Sequence, residues 1–145
     1  MASRPMVVVP GPHRLVAVPT LELRPNPTSP GLARGFVRRV LGDAGIDPLT
    51  TEDAALLATE LVTNSVIHAS TDITLEVVVE AGAVRIGVTD ASRAGPVLRE
   101  QDQDATTGRG LHLLDKVATE WGVVYAGKTK TVRFSLVTDL AGPPR

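Results

Sequence analysis

Apolar and polar residues repeat with a helical period through one long stretch of the chain. The segment Ala54 to Ala69 reads AALLATELVTNSVIHA, and its apolar residues cover a wide arc of the helix that this spacing predicts. Leu56 and Ile67 add apolar surface on the other side of that helix. A helix that is apolar over most of its circumference is usually buried within a domain, and we expect this one to be buried.

Three polar residues interrupt this apolar helix at a regular spacing. Glu60, Asn64 and His68 stand at positions i, i+4 and i+8, which places them along one face. Polar groups that are buried need hydrogen-bond partners, but the partner need not be a ligand. The row is therefore either part of a binding site or a polar helix edge whose groups satisfy one another.

A second helix precedes this one. Ser29 followed by Pro30 predicts a helix start, with serine as the N-cap and proline in the first turn. Apolar residues then recur at helical period up to Gly45, which is expected to end the helix. We expect Thr50 or Thr51 to cap the next helix.

Elsewhere the period changes to that of strands. Residues 73–80 and 84–90 predict a hairpin across 81–83, and 123–125 and 131–137 predict another around Gly127. Thr20 to Leu23 predicts a short edge strand, and the residues after Gly110 predict a third helix. This order predicts an α/β (α+β) two-layer sandwich, with a mostly antiparallel sheet and three helices on one face.

Proline and glycine mark the ends of the domain. We expect a flexible arm over residues 1–19, one domain over 20–138 and a loose tail over 139–145. The 145 residues carry a net charge of −1, which gives no general attraction to nucleic acid or membranes. The absence of cysteine excludes disulfides, zinc-thiolate sites and thiol catalysis, and we expect a cytoplasmic protein.

One motif match is misleading. Gly122 to Thr129 reads GVVYAGKT, which fits the phosphate-loop pattern G-x-x-x-x-G-K-T. That pattern binds phosphate only where a loop leads from a strand into a helix N-terminus. Strand-forming residues lie on both sides of Lys128 here, so we interpret the segment as a hairpin turn. A P-loop NTPase is kept only as a lesser alternative.

Three short segments, taken together, resemble the GHKL superfamily of ATPases. Residues 60–68, ELVTNSVIH, are similar to its N box, E-x-V-x-N-A-x-x-H. VTD at 88–90 resembles the start of its first glycine box, and GRGL at 108–111 resembles its second. The resemblance runs from about residue 23 to 137 and implies a Bergerat-type ATP-binding fold. It is nearest to the small actinobacterial regulators related to anti-sigma-factor serine/threonine kinases.

The resemblance implies roles for the polar residues, with ATP and Mg²⁺ as cofactors. Asn64 would hold Mg²⁺ through its side-chain oxygen, and Glu60 would be the catalytic general base. His68 would either contact phosphate or pack structurally. Asp90 would accept a hydrogen bond from the adenine amino group.

The glycine boxes supply the remaining expected nucleotide contacts. The second box would approach the phosphates through its backbone, and Thr131 would lie near adenine. The first box departs from the family pattern D-x-G-x-G, because only Gly95 is available and it is displaced. The expected cofactor-binding residues of the second box are Gly108, Arg109, Gly110 and Leu111.

In function, the resemblance implies a regulator that binds a sigma factor or another switch partner. It would phosphorylate an antagonist (anti-anti-sigma) protein on serine or threonine, and relatives of this kind commonly form homodimers through the sheet side. The relaxed first glycine box motivates an alternative, in which the same fold binds its partner without catalysis. In neither hypothesis does the protein directly contact nucleic acid or a membrane.

Overall fold

The computed structural model describes residues 18–92 and 112–138 of the chain. All strand pairs are antiparallel and form one five-stranded sheet in the order β1-β2-β3-β5-β4. The elements, in chain order, are β1 (Thr20–Leu23), α1 (Ser29–Asp43), α2 (Pro48–His68), β2 (Ile73–Glu80), β3 (Ala83–Asp90), α3 (112–117), β4 (Glu120–Ala126) and β5 (Thr129–Val137).

The core lies between the helices and one face of the sheet. Successive strand residues point to opposite faces, so alternate residues of β2, β3 and β5 are buried against the helices. Buried residues from both layers, such as Val37, Leu57, Leu75 and Ile86, form one continuous cluster. The predicted two-layer sandwich with an antiparallel sheet and three helices is confirmed. Within the described ranges, no helix is both long enough and apolar enough to cross a bilayer.

The long helix α2 is buried on one side only. Its sheet-facing arc is fully buried at Leu57, Ala58 and Val62, as the sequence predicts. Leu56 and Ile67, in contrast, remain 42% and 52% exposed. The expectation of burial around most of the helix was therefore wrong on the side that faces away from the sheet and from α1.

Helix α2 begins about one turn earlier than predicted. Asp47 is the N-cap, and its Oδ2 accepts a hydrogen bond from the Thr50 backbone N–H at 3.0 Å. Pro48 occupies the first turn, where its missing N–H costs nothing. The prediction that Thr50 or Thr51 caps the helix was wrong. Asp47 Oδ1 also accepts from Thr138 Oγ1 at 3.0 Å, which ties the helix start to the end of β5.

Helix α1 differs from its prediction by one residue. Thr28 stands at the N-cap position and Ser29 lies inside the helix. Instead of capping, the Ser29 hydroxyl donates to the Arg24 backbone oxygen. Gly45 has a φ of +78°, the left-handed conformation expected of a glycine that ends a helix.

The phosphate-loop match lies in a hairpin. Ala126 pairs with Thr129 across a two-residue turn, in which Gly127 has a φ of +62°. The residues on both sides are strands β4 and β5. No helix follows Lys128, so the interpretation of this segment as a turn is confirmed.

Candidate functional site

The C-terminal part of α2, the end of β3 and the start of β5 meet around the carboxylate of Asp90. Asp90 is the last residue of β3 and is buried. It pairs in register with Lys130 of β5. Because Asp90 follows Ile86 and Val88 at a period of two, its side chain lies on the face that the helices cover.

Three groups surround the Asp90 carboxylate. The Ser65 hydroxyl of α2 donates to Oδ2 at 2.5 Å, and the Ser92 backbone N–H donates to Oδ1 at 2.9 Å. The Lys130 ammonium lies 4.0 Å from Oδ1. These neighbours are all donors or cations, so they hold the carboxylate in one orientation.

A further hydrogen bond fixes the end of β3. The Ala91 backbone N–H donates to Thr71 Oγ1 at 3.0 Å, which joins the residue after Asp90 to the loop between α2 and β2. In that loop Ser70 has a φ of +57°, an uncommon conformation for a residue other than glycine. The backbone directly after Asp90 is thus held at both Ala91 and Ser92.

Asn64 has a buried side-chain oxygen on helix α2. It precedes Ser65 in α2, and its Oδ1 atom is buried without a hydrogen-bond partner in the described part of the chain. It is the one buried side-chain polar atom in that condition among the described residues. Leaving such a group unsatisfied costs about 1–3 kcal/mol, so a native orphan of this kind needs an explanation. An amide oxygen is a hard ligand of the type that Mg²⁺ prefers.

The other two members of the polar row stand one helical turn on either side of Asn64. Glu60 is half-buried, whereas His68 is exposed at the last residue of α2. The row therefore runs from the packed part of the helix toward its exposed end.

The structure does not bring Thr131 to the Asp90 site. Thr131 pairs with Thr89, and the two hydroxyl oxygens are 2.6 Å apart. Adjacent strand residues point to opposite faces, so Thr131 lies on the face away from the helices. Lys130 occupies the position opposite Asp90 and was not among the predicted site residues.

The remaining expected site residues belong to the glycine boxes. Gly95, Gly108, Arg109, Gly110 and Leu111 lie outside the described residues. They stand in the chain between Ser92, which contacts Asp90, and residue 112, where α3 is first described.

The family model named "Histidine kinase-like ATPase domain" matches residues 23–136. The chain belongs to this family. The predicted resemblance to the GHKL superfamily is thereby confirmed, and this type of domain implies ATP as its ligand. The matched range contains every site residue discussed above.

Solved structures show the same fold at low sequence identity. The structure of the RsbU and RsbW domains of Rv1364c from Mycobacterium tuberculosis matches with a TM-score of 0.62 and 20% identity, over 88% of this chain and 34% of that one. The histidine kinase domain of the blue-light activated histidine kinase EL346 from Erythrobacter litoralis matches with a TM-score of 0.54 and 17% identity, over 77% and 62%.

A second structure of EL346, described as the blue-light activated histidine kinase, gives a TM-score of 0.53 and 20% identity over 77% of this chain and 45% of that chain. The chain thus spans about a third to three fifths of the solved chains it matches. A comparison with curated proteins finds no match.

Proposed function

We propose that this protein is a cytoplasmic ATP- and Mg²⁺-binding regulator of the anti-sigma-factor kinase type. It binds a sigma factor or another switch partner and phosphorylates an antagonist protein on serine or threonine. The observation that carries the nucleotide site is the buried Oδ1 of Asn64, which has no hydrogen-bond partner in the described part of the chain and lies one residue before Ser65, the partner of Asp90. A metal ion bound to that oxygen would explain why it has no protein partner, since Mg²⁺ is commonly held by one or two protein oxygens together with phosphates and water.

Each residue of the site has a distinct task in this proposal. Asp90 accepts a hydrogen bond from the adenine amino group, and Asn64 holds Mg²⁺ at the phosphates. Bound Mg²⁺ would neutralise part of the negative charge on the phosphate oxygens. Glycine at 108 and 110 would suit a close approach of backbone to phosphate, because glycine has no side chain. His68, which is exposed, contacts phosphate at the outer edge of the site or stays outside it.

Glu60 performs the proton transfer in the kinase reaction. The hydroxyl oxygen of the acceptor serine or threonine forms a bond to the γ-phosphorus, and the bond from that phosphorus to the bridging oxygen of ADP breaks. Glu60 receives the hydroxyl proton, as a general base within hydrogen-bond reach of the acceptor would. Its position one turn before Asn64 places a carboxylate on the same helix face as the metal ligand.

Phosphate transfer from γ-labelled ATP to candidate antagonist proteins tests the kinase activity. Wild-type protein should label its antagonist on serine or threonine. Glu60→Gln, which keeps the shape of the side chain but not its basicity, should lower the transfer rate by about 100-fold or more. Asp53→Asn, an acidic residue near the start of the same helix, is the matched control and should transfer at the wild-type rate. If wild type and both variants bind ATP but none of them transfers phosphate, the kinase activity is refuted and the ATP site is not.

A non-catalytic partner-binding module is the second candidate. It is favoured by one observation: the Asp90 side chain is only 1% exposed and already has donors at both oxygens. If this alternative holds, Asn64→Ala leaves the affinity for the protein partner unchanged with and without ATP. A partner affinity that rises or falls with Mg-ATP in wild type, but not in Asn64→Ala, would exclude it.

A further inference from the structure

Lys130 is a buried lysine whose ammonium group has no hydrogen-bonded carboxylate partner among the described residues. Its side chain is only 10% exposed, whereas lysine is almost never buried without a partner. The nearest carboxylate oxygen, Asp90 Oδ1, is 4.0 Å from its Nζ atom, which is beyond hydrogen-bond distance. The ammonium has three N–H donors and donates none of them to a described residue.

Asp90, by contrast, is held tightly. The Ser65 hydroxyl and the Ser92 N–H fix its two oxygens, so neither needs Lys130 as a partner. Each carboxylate oxygen still has capacity to accept a second hydrogen bond. Register pairing across β3 and β5 therefore sets a fixed acceptor beside an available donor, both on the helix-facing side of the sheet.

This arrangement complements the edge of adenine. Adenine carries an amino donor, N6, flanked by ring nitrogens that accept hydrogen bonds. A carboxylate that accepts from N6 would place a neighbouring ammonium beside one of those ring nitrogens. Guanine presents the acceptors N7 and O6 together on the corresponding edge, where O6 would face the carboxylate unfavourably.

We propose that Lys130 is a base-recognition residue of the nucleotide site, donating a hydrogen bond to an adenine ring nitrogen beside N6 while Asp90 accepts from N6. This inference rests on the proposed ATP site. It assigns to Lys130 the adenine contact that the sequence led us to expect of Thr131, which lies on the other face of the sheet. Burial keeps the ammonium poorly hydrated, so a hydrogen bond to the base replaces solvation that Lys130 lacks.

Calorimetric binding of ATP, 1-deaza-ATP and 7-deaza-ATP, each with excess Mg²⁺, tests the proposal. The two analogues each lack one of the ring nitrogens that flank N6. Wild type should bind one of them about 10- to 100-fold more weakly than ATP, as expected for a hydrogen bond from a charged donor. Lys130→Met should bind ATP more weakly by a similar factor and lose no further affinity for that same analogue, which is the signature of a direct pair.

Lys128→Met is the matched control, because Lys128 lies exposed in the turn two residues earlier. It should behave as wild type with all three nucleotides. Wild type that binds ATP and both analogues equally well would overturn the role of Lys130 without relying on any variant. Lys130→Met that binds ATP as tightly as wild type, or more tightly, would also overturn it. Failure of wild type to bind ATP at all would overturn the proposed function as well.

Discussion

Replacing Ser65 with alanine tests the hydrogen bond that organises the site. The Ser65 hydroxyl donates to Asp90 Oδ2 at 2.5 Å, and both residues are buried. A hydrogen bond to a charged group contributes about 1.5–3 kcal/mol, and a methyl group in its place leaves a buried carboxylate oxygen without that donor. The Ser92 N–H and Lys130 remain near the other oxygen. We therefore expect Ser65→Ala to lower the free energy of unfolding by about 2 kcal/mol.

Urea denaturation, followed by circular dichroism, measures this loss directly. For a domain of this size the same change should lower the melting temperature by about 6–12 °C. Ser135→Ala is the matched control, since Ser135 is half-buried on β5 at a position that faces away from the helices. It should change the free energy of unfolding by less than about 0.5 kcal/mol. Equal stability of Ser65→Ala and wild type would refute the reasoning that this bond stabilises the Asp90 carboxylate.

Two further predictions concern other parts of the fold. Hydrogen bonds from Thr50 and Thr138 lower the pKa of Asp47, so its stabilising effect is complete above about pH 5 and is lost as the pH falls further. Asp47→Ala should cost about 1 kcal/mol at pH 7, and its unfolding free energy should fall less than that of wild type between pH 5 and pH 2. Lys128→Ala should leave the dissociation constant for ATP unchanged in calorimetry. Loss of ATP binding would instead support the hypothesis of a P-loop NTPase.

Local signals explain why the strands were predictable. The alternation over residues 73–80 and 84–90, with Gly82 between them, involves neighbours in sequence only. The observed strands differ from that prediction by one residue, at Ala83. Gly82 has a φ of +84°, a conformation that the hairpin turn requires and that glycine adopts without strain.

The start of α2 shows how competing local signals mislead. Asp47 followed by Pro48 is the same type of start as Ser29 followed by Pro30, yet the apolar pattern drew the predicted start to Thr50 or Thr51. In the structure the Thr51 hydroxyl instead donates to the Ile46 backbone oxygen at 3.3 Å. Asp47 is the N-cap because its carboxylate accepts hydrogen bonds from the Thr50 N–H and from Thr138 Oγ1 at the same time.

The polar row of α2 was predictable because its three residues share one helix. Glu60, Asn64 and His68 follow from helical spacing alone, although their chemical roles remain proposals. The position of Lys130 beside Asp90 was not predictable, because it depends on the register between β3 and β5. A pattern of alternation indicates that Lys130 and Thr131 face opposite ways, but only the pairing with Asp90 decides which of them faces the helices.

The most direct test of the central claim is calorimetric binding of ATP with and without Mg²⁺ to wild type and Asn64→Ala. If Asn64 Oδ1 is a metal ligand, Mg²⁺ should tighten ATP binding in wild type by at least about tenfold, and this gain should disappear in Asn64→Ala. Thr63→Ala, at the preceding position of α2, should retain the gain. Equal Mg²⁺ dependence in wild type and Asn64→Ala would contradict the account of Asn64, and no ATP binding by wild type would contradict the nucleotide site itself.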